Sequence, residues 1–282
     1  MKIYTRMFIV ALACMLSIES GYSFFFFGRF KTPPLSETHL TKGRASKSEL
    51  NPNQISVLVW NIYKGKKDTF KSDFPELATG KDLLIIQETD SDIRVQNVLE
   101  SVPGFRWDTG ISFTYAKKFG SFTGTLIGSS VEPKKVEIIR SKYKEPLVRT
   151  HKVITAASYP IKGREEKLLA LSIHAINFAR KKAFYHQLKQ TELMIKSHKG
   201  PVIFGGDFNC RSKAKTKYMR NFFKELGFTE VTFRNDSRYR SGMTGRIIDY
   251  IYVRDLKVLD SEVYGHLKSS DHMAMTIDVS YL

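Results

Sequence analysis

Eight polar side chains lie at or near the ends of short apolar runs, and their types suit the chemistry of phosphate esters. Four are carboxylates, two are amides and two are imidazoles: Glu88, Asp207, Asp249, Asp271, Asn61, Asn209, His174 and His272. A hard divalent cation prefers carboxylate and amide oxygens as ligands. An imidazole backed by a carboxylate exchanges protons near neutral pH. These residue types therefore indicate metal-assisted hydrolysis of a phosphodiester.

Taken singly, each of these residues also has an ordinary structural explanation. Asn61 suits an Asx turn, Glu88 suits a helix N-terminus, and either histidine suits a hydrogen-bonded core. The hypothesis depends on the group as a whole, because acidic residues at the ends of apolar strands in a basic chain need a cation or a proton-transfer role.

The elements that must position these side chains are mostly strands. Short apolar, β-branched runs predict strands at 55–60, 83–87, 111–115, 123–127, 147–156, 168–173, 201–204, 247–253 and 273–279. Helical spacing of apolar residues is found at 90–101, 179–197 and 213–226. Since strands outnumber helices, the pattern favours an α/β or α+β sandwich over a regular βαβ barrel.

Six short motifs, in this order, resemble the endonuclease/exonuclease/phosphatase superfamily, which includes deoxyribonuclease I. They are Trp60-Asn61-Ile62, Gln87-Glu88-Thr89, Ser172-Ile173-His174, Gly206-Asp207-Phe208-Asn209, Ile248-Asp249-Tyr250-Ile251 and Ser270-Asp271-His272. Each motif alone is weak, but six in the right order are a strong signal. Further stretches, such as the one from Val59 to Lys64, are similar to the bacterial YafD-type subgroup.

The resemblance implies a four-layer α/β/β/α sandwich, with two mixed β-sheets packed face to face, helices outside and an active site at one rim. It implies that Glu88 is the main metal carboxylate, with Asn61 and Asp271 close to the ion. The implied cofactor is Mg²⁺, with Mn²⁺ or Ca²⁺ as alternatives. A structural disulfide framework is not expected, since only Cys14 and Cys210 are present.

The resemblance also assigns catalytic residues. Asp207 would orient or deprotonate the attacking water, and Asn209 would hold the phosphate. His272, paired with Asp249, would bind the scissile phosphate or act as the base. His174 matches a histidine that assists the leaving group in deoxyribonuclease I-like and sphingomyelinase-like members. Which histidine is the acid and which is the base stays open.

The charge of the chain predicts the partner. With 45 Lys+Arg against 28 Asp+Glu, the net charge is +17 and the pI is about 9.7. Basic segments with interleaved aromatic residues lie close to the motifs, as at 140–144, 211–217 and 234–246. Such segments favour contact with a nucleic-acid backbone, most simply DNA. The predicted phosphate-binding residues are Asn177, Arg211, Lys213, Arg238 and Arg246.

The N-terminus predicts export. Residues 1–23 resemble a signal peptide, residues 24–53 a linker, and residues 54–282 the catalytic domain. We expect a secreted or periplasmic protein; an uncleaved membrane anchor or acylation of Cys14 are the alternatives. Membrane contact through Phe24–Phe27 is a less favoured alternative, and no obligate protein partner is evident.

Together these features predict an exported, divalent-metal-dependent phosphodiesterase, foremost a nuclease that hydrolyses DNA with low sequence specificity. Two alternatives stay open: a sphingomyelinase-type lipid phosphodiesterase, and a catalytically degenerate protein that binds nucleic acid or membrane. The inositol phosphatase branch is not favoured, because the motif around Asp249 differs from the one that branch carries. The sequence leaves DNA against RNA, endonuclease against exonuclease, one metal against two, and the oligomeric state undecided.

Overall fold

A computed structural model describes residues 29–118, 120–146 and 148–282 of the chain. These residues form fourteen strands: β1 Phe30–Lys31, β2 His39–Gly43, β3 Ile55–Asn61, β4 Leu83–Asp90, β5 Arg106–Tyr115, β6 Phe122–Ser129, β7 Lys135–Lys144, β8 His151–Pro160, β9 Lys167–His174, β10 Val202–Asp207, β11 Thr229–Glu230, β12 Asp249–Arg254, β13 Leu256–Val263 and β14 Met275–Tyr281. The α-helices are α1 Phe70–Ala78, α2 Ile93–Glu100, α3 Lys181–Lys189, α4 Glu192–Ser197 and α5 Lys213–Glu225. Short 3-10 turns lie at Leu35–Glu37 and Tyr63–Gly65.

The strands form two mixed sheets. The first has the order β1-β5-β6-β4-β3-β14-β13, with β2 also paired to β5, and the second has the order β11-β12-β10-β9-β8-β7. Two central pairs are parallel, β3 with β4 and β9 with β10, and the other pairs are antiparallel. Because parallel strands end at the same edge of a sheet, each sheet presents two central strand ends on one rim.

Apolar side chains fill three layers between and outside the sheets. The inner faces meet in one core that includes Val57, Ile85, Ala170 and Ile203. Trp60 and its neighbours on the outer face of the first sheet pack against α1 and α2, and the second sheet is covered by α3, α4 and α5. The predicted four-layer α/β/β/α sandwich is confirmed.

Local sequence explains where the helix over the second sheet begins and ends. Ser212 caps α5 by accepting a hydrogen bond from the Lys215 amide at 3.3 Å. Met219, Phe222 and Phe223 form the buried stripe of this helix. Gly227, with φ +79°, follows the last turn and adopts the left-handed conformation that ends many helices.

Several elements differ from the sequence-based expectation. The strand predicted at 147–156 lies at His151–Pro160, and the helix predicted at 179–197 is two helices, α3 and α4. The Thr191 hydroxyl donates to the Leu188 carbonyl at 2.8 Å where they divide. Outside the predicted linker, sequence reasoning missed α1, β7, β11 and β13. β7 is a half-exposed edge strand rich in lysine, so it lacks the apolar run on which strand prediction depends.

The segment predicted as a linker also differs, because its described part packs on the domain. The strands β1 and β2 both pair with β5. Leu50 has no exposed surface, its amide donates to the Pro160 carbonyl at 2.9 Å, and its carbonyl accepts from the Lys162 amide at 2.9 Å. The edge strand β2 could not be predicted from this polar segment, since such a strand buries few side chains.

This packing predicts a stability effect within the predicted linker. Leu50→Ala should lower the free energy of unfolding by about 2–5 kcal/mol, because it leaves a cavity in the core between the sheets. The neighbouring exposed Glu49→Ala should change it by no more than about 0.5 kcal/mol. Urea unfolding of both variants is the measurement. Equal midpoints for Leu50→Ala and the wild type would restore the linker interpretation.

Candidate active site

The ends of the central strands bring the predicted residues to one rim. Asn61 ends β3, His174 ends β9 and Asp207 ends β10. Asp207 lies opposite His174 in the parallel ladder and opposite Asp249, the first residue of β12, in the antiparallel one. Register alone therefore places these three side chains side by side on the second sheet.

Glu88 reaches the rim through an irregularity in β4. The ladder between β4 and β6 shifts between Gln87 and Thr89, and Glu88 between them has φ +54°. A bulge of this kind turns a side chain away from the regular alternation of the strand. Glu88 and His174 consequently line the same small pocket, although they come from different sheets.

Asp207 is the most constrained carboxylate of the site. It is buried, its Oδ1 accepts from the Asn209 amide at 2.8 Å, and its Oδ2 accepts from Asn209 Nδ2 at 3.1 Å and from Asn61 Nδ2 at 3.4 Å. His174 Nε2 lies 3.6 Å from the same Oδ2. Gly206 precedes it with φ +138°, and a Cβ there would lie 2.2 Å from the Ile173 carbonyl oxygen. Glycine is thus required for Asp207 to sit this close to β9.

His272 and Asp249 form a buried hydrogen-bonded pair, with Nδ1 and Oδ2 2.8 Å apart. Two hydrogen bonds fix the backbone of His272. Trp60 Nε1 donates to its carbonyl at 3.0 Å, and its amide donates to Ser270 Oγ at 3.1 Å. The Tyr239 ring lies 5.0 Å from the imidazole. The ligand atoms of Asp207, Asp249 and His272 all lie within 4.8 Å of one another.

The environment shifts the pKa values of the two histidines in opposite directions. Burial opposes protonation of His272, but the charge and hydrogen bond of Asp249 outweigh it and raise the His272 pKa to about 10. Burial, together with the nearby Lys152 charge, holds the pKa of His174 well below its usual range. Burial raises the pKa of Asp207 above that of an ordinary carboxyl. At neutral pH the site therefore contains one imidazolium and one neutral imidazole.

The donor set suits a hard divalent cation. The Asn61 amide is oriented, since its Oδ1 accepts from the Tyr63 amide at 3.1 Å while its Nδ2 faces Asp207. Glu88 is half-buried at the rim and Asp271 is exposed beside His272. Carboxylate and amide oxygens from these three residues are ligands that Mg²⁺ accepts. The residues present fit the expected metal.

A network of side chains holds Arg211 over the site. Its Nη2 donates to Asn209 Oδ1 at 3.1 Å, its Nε to Asn177 Oδ1 at 3.2 Å, and its Nη1 to Ser241 Oγ at 2.8 Å. The Asn177 amide donates to Glu145 Oε1 at 3.0 Å. The sequence-predicted Arg211 is therefore joined directly to Asn209, which hydrogen-bonds Asp207, and Asn177 is joined to Asn209 through Arg211.

The other predicted basic residues are placed differently. Arg238 requires a correction, because its guanidinium is buried and donates to Asp236 at 2.7 and 2.8 Å and to the Asp249 carbonyl at 3.2 Å. It supports the strand that carries Asp249 and is not available to a phosphate. Lys213, at the first turn of α5, is exposed and Arg246 is half-exposed; their phosphate contacts stay predictions. The basic segment 140–144 belongs to the edge strand β7.

Sequence reasoning missed three charged residues of the rim. Glu145 is buried and paired with Lys152 at 3.3 Å, and Lys64 lines the pocket of Glu88 and His174. Lys64 lies three positions after Asn61, so its proximity to a motif was a signal. Glu145 gave none, since it lies in a stretch without a motif.

Comparison with known proteins agrees with this geometry. Residues 58–272 match the model of the Endonuclease/Exonuclease/phosphatase family, and the chain belongs to this family. Within the family it is a member of the bacterial YafD-type, or UPF0294, subgroup. It is 31% identical to a UPF0294 protein of Vibrio campbellii over 79% of this chain and 77% of that one. It is 32% identical to a UPF0294 protein of Yersinia pseudotuberculosis over 79% and 83%.

Solved structures share the fold at low identity. An endonuclease/exonuclease/phosphatase family protein from Leptotrichia buccalis has a TM-score of 0.61 at 16% identity, covering 80% of this chain and 100% of that one. A mannosyl-6-phosphatase of Bacteroides thetaiotaomicron has a TM-score of 0.57 at 15% identity, covering 80% and 100%. The endonuclease domain of TRAS1, from a telomere-specific retrotransposon, has a TM-score of 0.55 at 17% identity, covering 81% and 99%.

The buried pair predicts a pH-dependent stability. The His272 pKa is raised on folding, so the pair stabilises fully below the unfolded pKa of about 6.5 and this contribution is lost as pH rises through about 10. Asp249→Asn should therefore cost on the order of 3 kcal/mol at neutral pH, and the cost should shrink toward pH 10. Thermal unfolding in chelator across this range measures it.

Asp260→Asn, at an exposed position of β13, is the matched control and should show a small difference that does not vary with pH. A gap for Asp249→Asn that stays constant as pH rises would mean that His272 is not charged in the folded protein.

Proposed function

We propose that this protein is an exported, divalent-metal-dependent phosphodiesterase that hydrolyses DNA with low sequence specificity. The observation that carries the proposal is the meeting of Asp207, Asn209, His174 and the Asp249–His272 pair at one rim. A buried carboxylate that accepts hydrogen bonds from two amides beside an imidazolium suits in-line displacement at phosphorus. Membership of a phosphoesterase family supports the same reaction class.

In this proposal the protonation state of each residue determines its role in the reaction. Asp207, whose pKa is raised by burial, orients the attacking water and takes its proton as the new phosphorus–oxygen bond forms. His272 is an imidazolium held by Asp249, so it binds a non-bridging phosphate oxygen, where negative charge accumulates. Neutral His174 can donate a hydrogen bond to the leaving oxygen as the old phosphorus–oxygen bond breaks. That oxygen takes its proton from solvent water, and the proton that Asp207 releases neutralises the hydroxide left behind.

The proposed ion would be held by Glu88, Asn61 and Asp271, whose oxygens fit Mg²⁺ and also accept Mn²⁺ or Ca²⁺. When bound, it supplies Lewis-acid stabilisation of charge on the phosphate. Asn209 and Arg211 complete the phosphate site, since the guanidinium is already oriented by Asn209 and Asn177.

Charge supports a nucleic acid as the substrate. The chain carries a net charge of +17, while the site itself is acidic, so attraction to a polyanion comes from the surrounding surface. One fold relative, the TRAS1 domain, is named as an endonuclease, and another is named as a mannosyl-6-phosphatase. Relatives this distant show only the fold. The proposal of DNA as the substrate therefore rests on the positive charge of the chain and not on these solved structures.

One observation favours a lipid phosphodiester as the second candidate. Phe178, four residues after His174, is 52% exposed, and Met243, in the loop whose Ser241 contacts Arg211, is 76% exposed. Exposed apolar side chains on loops beside a site can enter a bilayer or stack on bases. None of the helices in the described part of the chain is long and apolar enough to cross a membrane.

Export rests on residues 1–23, which lie outside the described residues. A secreted or periplasmic location would present the basic surface to DNA outside the cytosol. Fractionation of cells that express the full chain, with N-terminal sequencing of the product, tests this location. A mature protein that begins near residue 24 supports it, and an intact N-terminus in the cytosol opposes it.

The central prediction concerns Asp207. The wild-type protein should nick supercoiled plasmid DNA with Mg²⁺, and chelator should abolish this activity. Asp207→Ala should lower the rate by about 10²–10⁴-fold, because the water loses its base, with urea unfolding as the check on folding. If the wild type leaves the plasmid intact but releases phosphocholine from sphingomyelin, the lipid candidate replaces DNA. Tight DNA binding without turnover of either substrate would indicate a degenerate enzyme.

A second prediction concerns Arg211. DNA binding by an Asp207→Asn background should weaken by about 0.9 log units per log unit of salt for each phosphate neutralised. Adding Arg211→Gln should reduce this slope by about 1, whereas Lys257→Gln, on the exposed far end of β13, should leave it unchanged. Fluorescence anisotropy across a salt series measures the slopes. Identical slopes for all three proteins would remove Arg211 from the phosphate site.

A further inference from the structure

Glu88 lines a small pocket whose lining does not include Asp249 or His272. Its volume is about 130 Å³, its charged lining comes from Lys64, Lys152, Glu145 and Glu88, and His174 lines it as well. Lys152 is paired with Glu145 at 3.3 Å, so these two charges offset each other. Lys64 is the other cation that lines the pocket, and no carboxylate lies within ion-pair distance of it among the described residues.

Lys64 is held rigidly at this place. Its Nζ donates to the Tyr115 hydroxyl at 3.0 Å, and that hydroxyl donates to Asp90 at 2.9 Å. The ammonium also lies 5.9 Å from the centre of the Phe113 ring and 5.5 Å from that of Tyr115. An ammonium has three donors, and within the described residues Lys64 uses one of them. Two donors are therefore available to a ligand.

The backbone at Lys64 also adopts a strained conformation. Tyr63 and Lys64 have φ of +50° and +56°, a region that side chains other than glycine rarely occupy. The turn is fixed by the Tyr63 amide, which donates to Asn61 Oδ1, and by the Gly65 amide, which donates to the Ile62 carbonyl at 2.9 Å. Strain of this kind persists where the surrounding contacts fix it and often accompanies function. Here it ties Lys64 to Asn61.

A larger groove continues from the other side of Lys64. It has a volume of about 460 Å³, and Lys64 lines both cavities, so the two meet at its side chain. Its charged lining consists of six cations and two carboxylates: Arg29, Lys64, Lys66, Arg94, Lys117, Lys118, Asp90 and Asp92. Arg94 and Lys118 both pair with Asp92, at 3.0 and 3.8 Å. The groove retains a positive excess after this pairing.

We propose that this pocket and groove form a subsite for the phosphates that flank the scissile one in a nucleic-acid strand, with Lys64 contacting the first of them. The proposal rests on the proposed function and deepens it. A phosphodiester with a single phosphate has no group to place beside Lys64, whereas a polynucleotide carries one on every residue. The substrate strand would thus cross the rim on the side of β5 and β6, and the protein would select polymers over isolated diesters.

The test compares two substrates in the full protein. Bis(p-nitrophenyl) phosphate contains one phosphate, and a short DNA duplex contains many. Lys64→Gln should lower kcat/KM for the duplex about tenfold more than for the small diester, because it removes a charge-assisted hydrogen bond to a flanking phosphate. Lys64→Arg keeps the positive charge and should therefore show little of this difference between the two substrates. Lys257→Gln, at the opposite edge of the same sheet, should show none of it.

A binding measurement separates the failure of this inference from that of the proposed function. In an Asp207→Asn background, Lys64→Gln should weaken duplex binding and reduce its salt slope by about 1. If the wild type hydrolyses neither substrate, the proposed function fails, and binding still decides the subsite. Equal losses on both substrates would place Lys64 at the reaction centre, and unchanged binding and turnover would show that no flanking phosphate is bound there. Urea unfolding of each variant verifies folding.

Discussion

The burial of Asp207 is the constraint on which the site depends. A carboxylate removed from water is costly unless hydrogen bonds satisfy it. Asn61 supplies one from the end of β3 in the first sheet, and Asn209 supplies others from the turn after β10 in the second. The same carboxylate is the neighbour of His174. The parallel pairing at the centre of each sheet makes this meeting geometrically simple, since strands that run the same way end at the same rim. The packing of the two sheets therefore fixes the relative positions of the side chains at the rim.

Two imidazoles in one cleft acquire different protonation states from their surroundings. His272 lies against Asp249 and takes a raised pKa, whereas His174 is buried near lysine side chains and takes a lowered one. Environments that separate the pKa values of similar groups are how a site assigns different proton roles to them. In the proposed mechanism the two histidines therefore have different roles, because His272 is hydrogen-bonded to a carboxylate at 2.8 Å whereas His174 lies 3.6 Å from one.

Much of the fold could be predicted because it follows from apolar runs. Strands buried on both faces, such as β3, β4 and β10, gave continuous signals, and polar residues at their ends marked the rim. Edge strands give no such signal, because β2 and β7 bury few side chains. β2 lies within the predicted linker, and the end of β7 coincides with the basic segment 140–144.

Charge in the sequence was an unreliable guide to charge at the site. Arg238 lies in a basic segment, but Asp236 and the Asp249 carbonyl occupy its guanidinium. Lys64 lies outside the basic segments and lines the pocket from a turn in which Tyr63 and Lys64 both have positive φ. Neither fact can be read from composition, since both depend on tertiary partners.

The most direct test of the central claim is the position of the metal relative to the phosphate. Crystals soaked with Mn²⁺ and inorganic phosphate, with anomalous scattering to locate the ion, would supply it. The account predicts Mn²⁺ bound by oxygens of Glu88 and Asn61, with phosphate between the ion and His272 and the Asp249–His272 hydrogen bond intact. An ion bound instead among Asp207, Asp249 and His272, with that hydrogen bond broken, would contradict it.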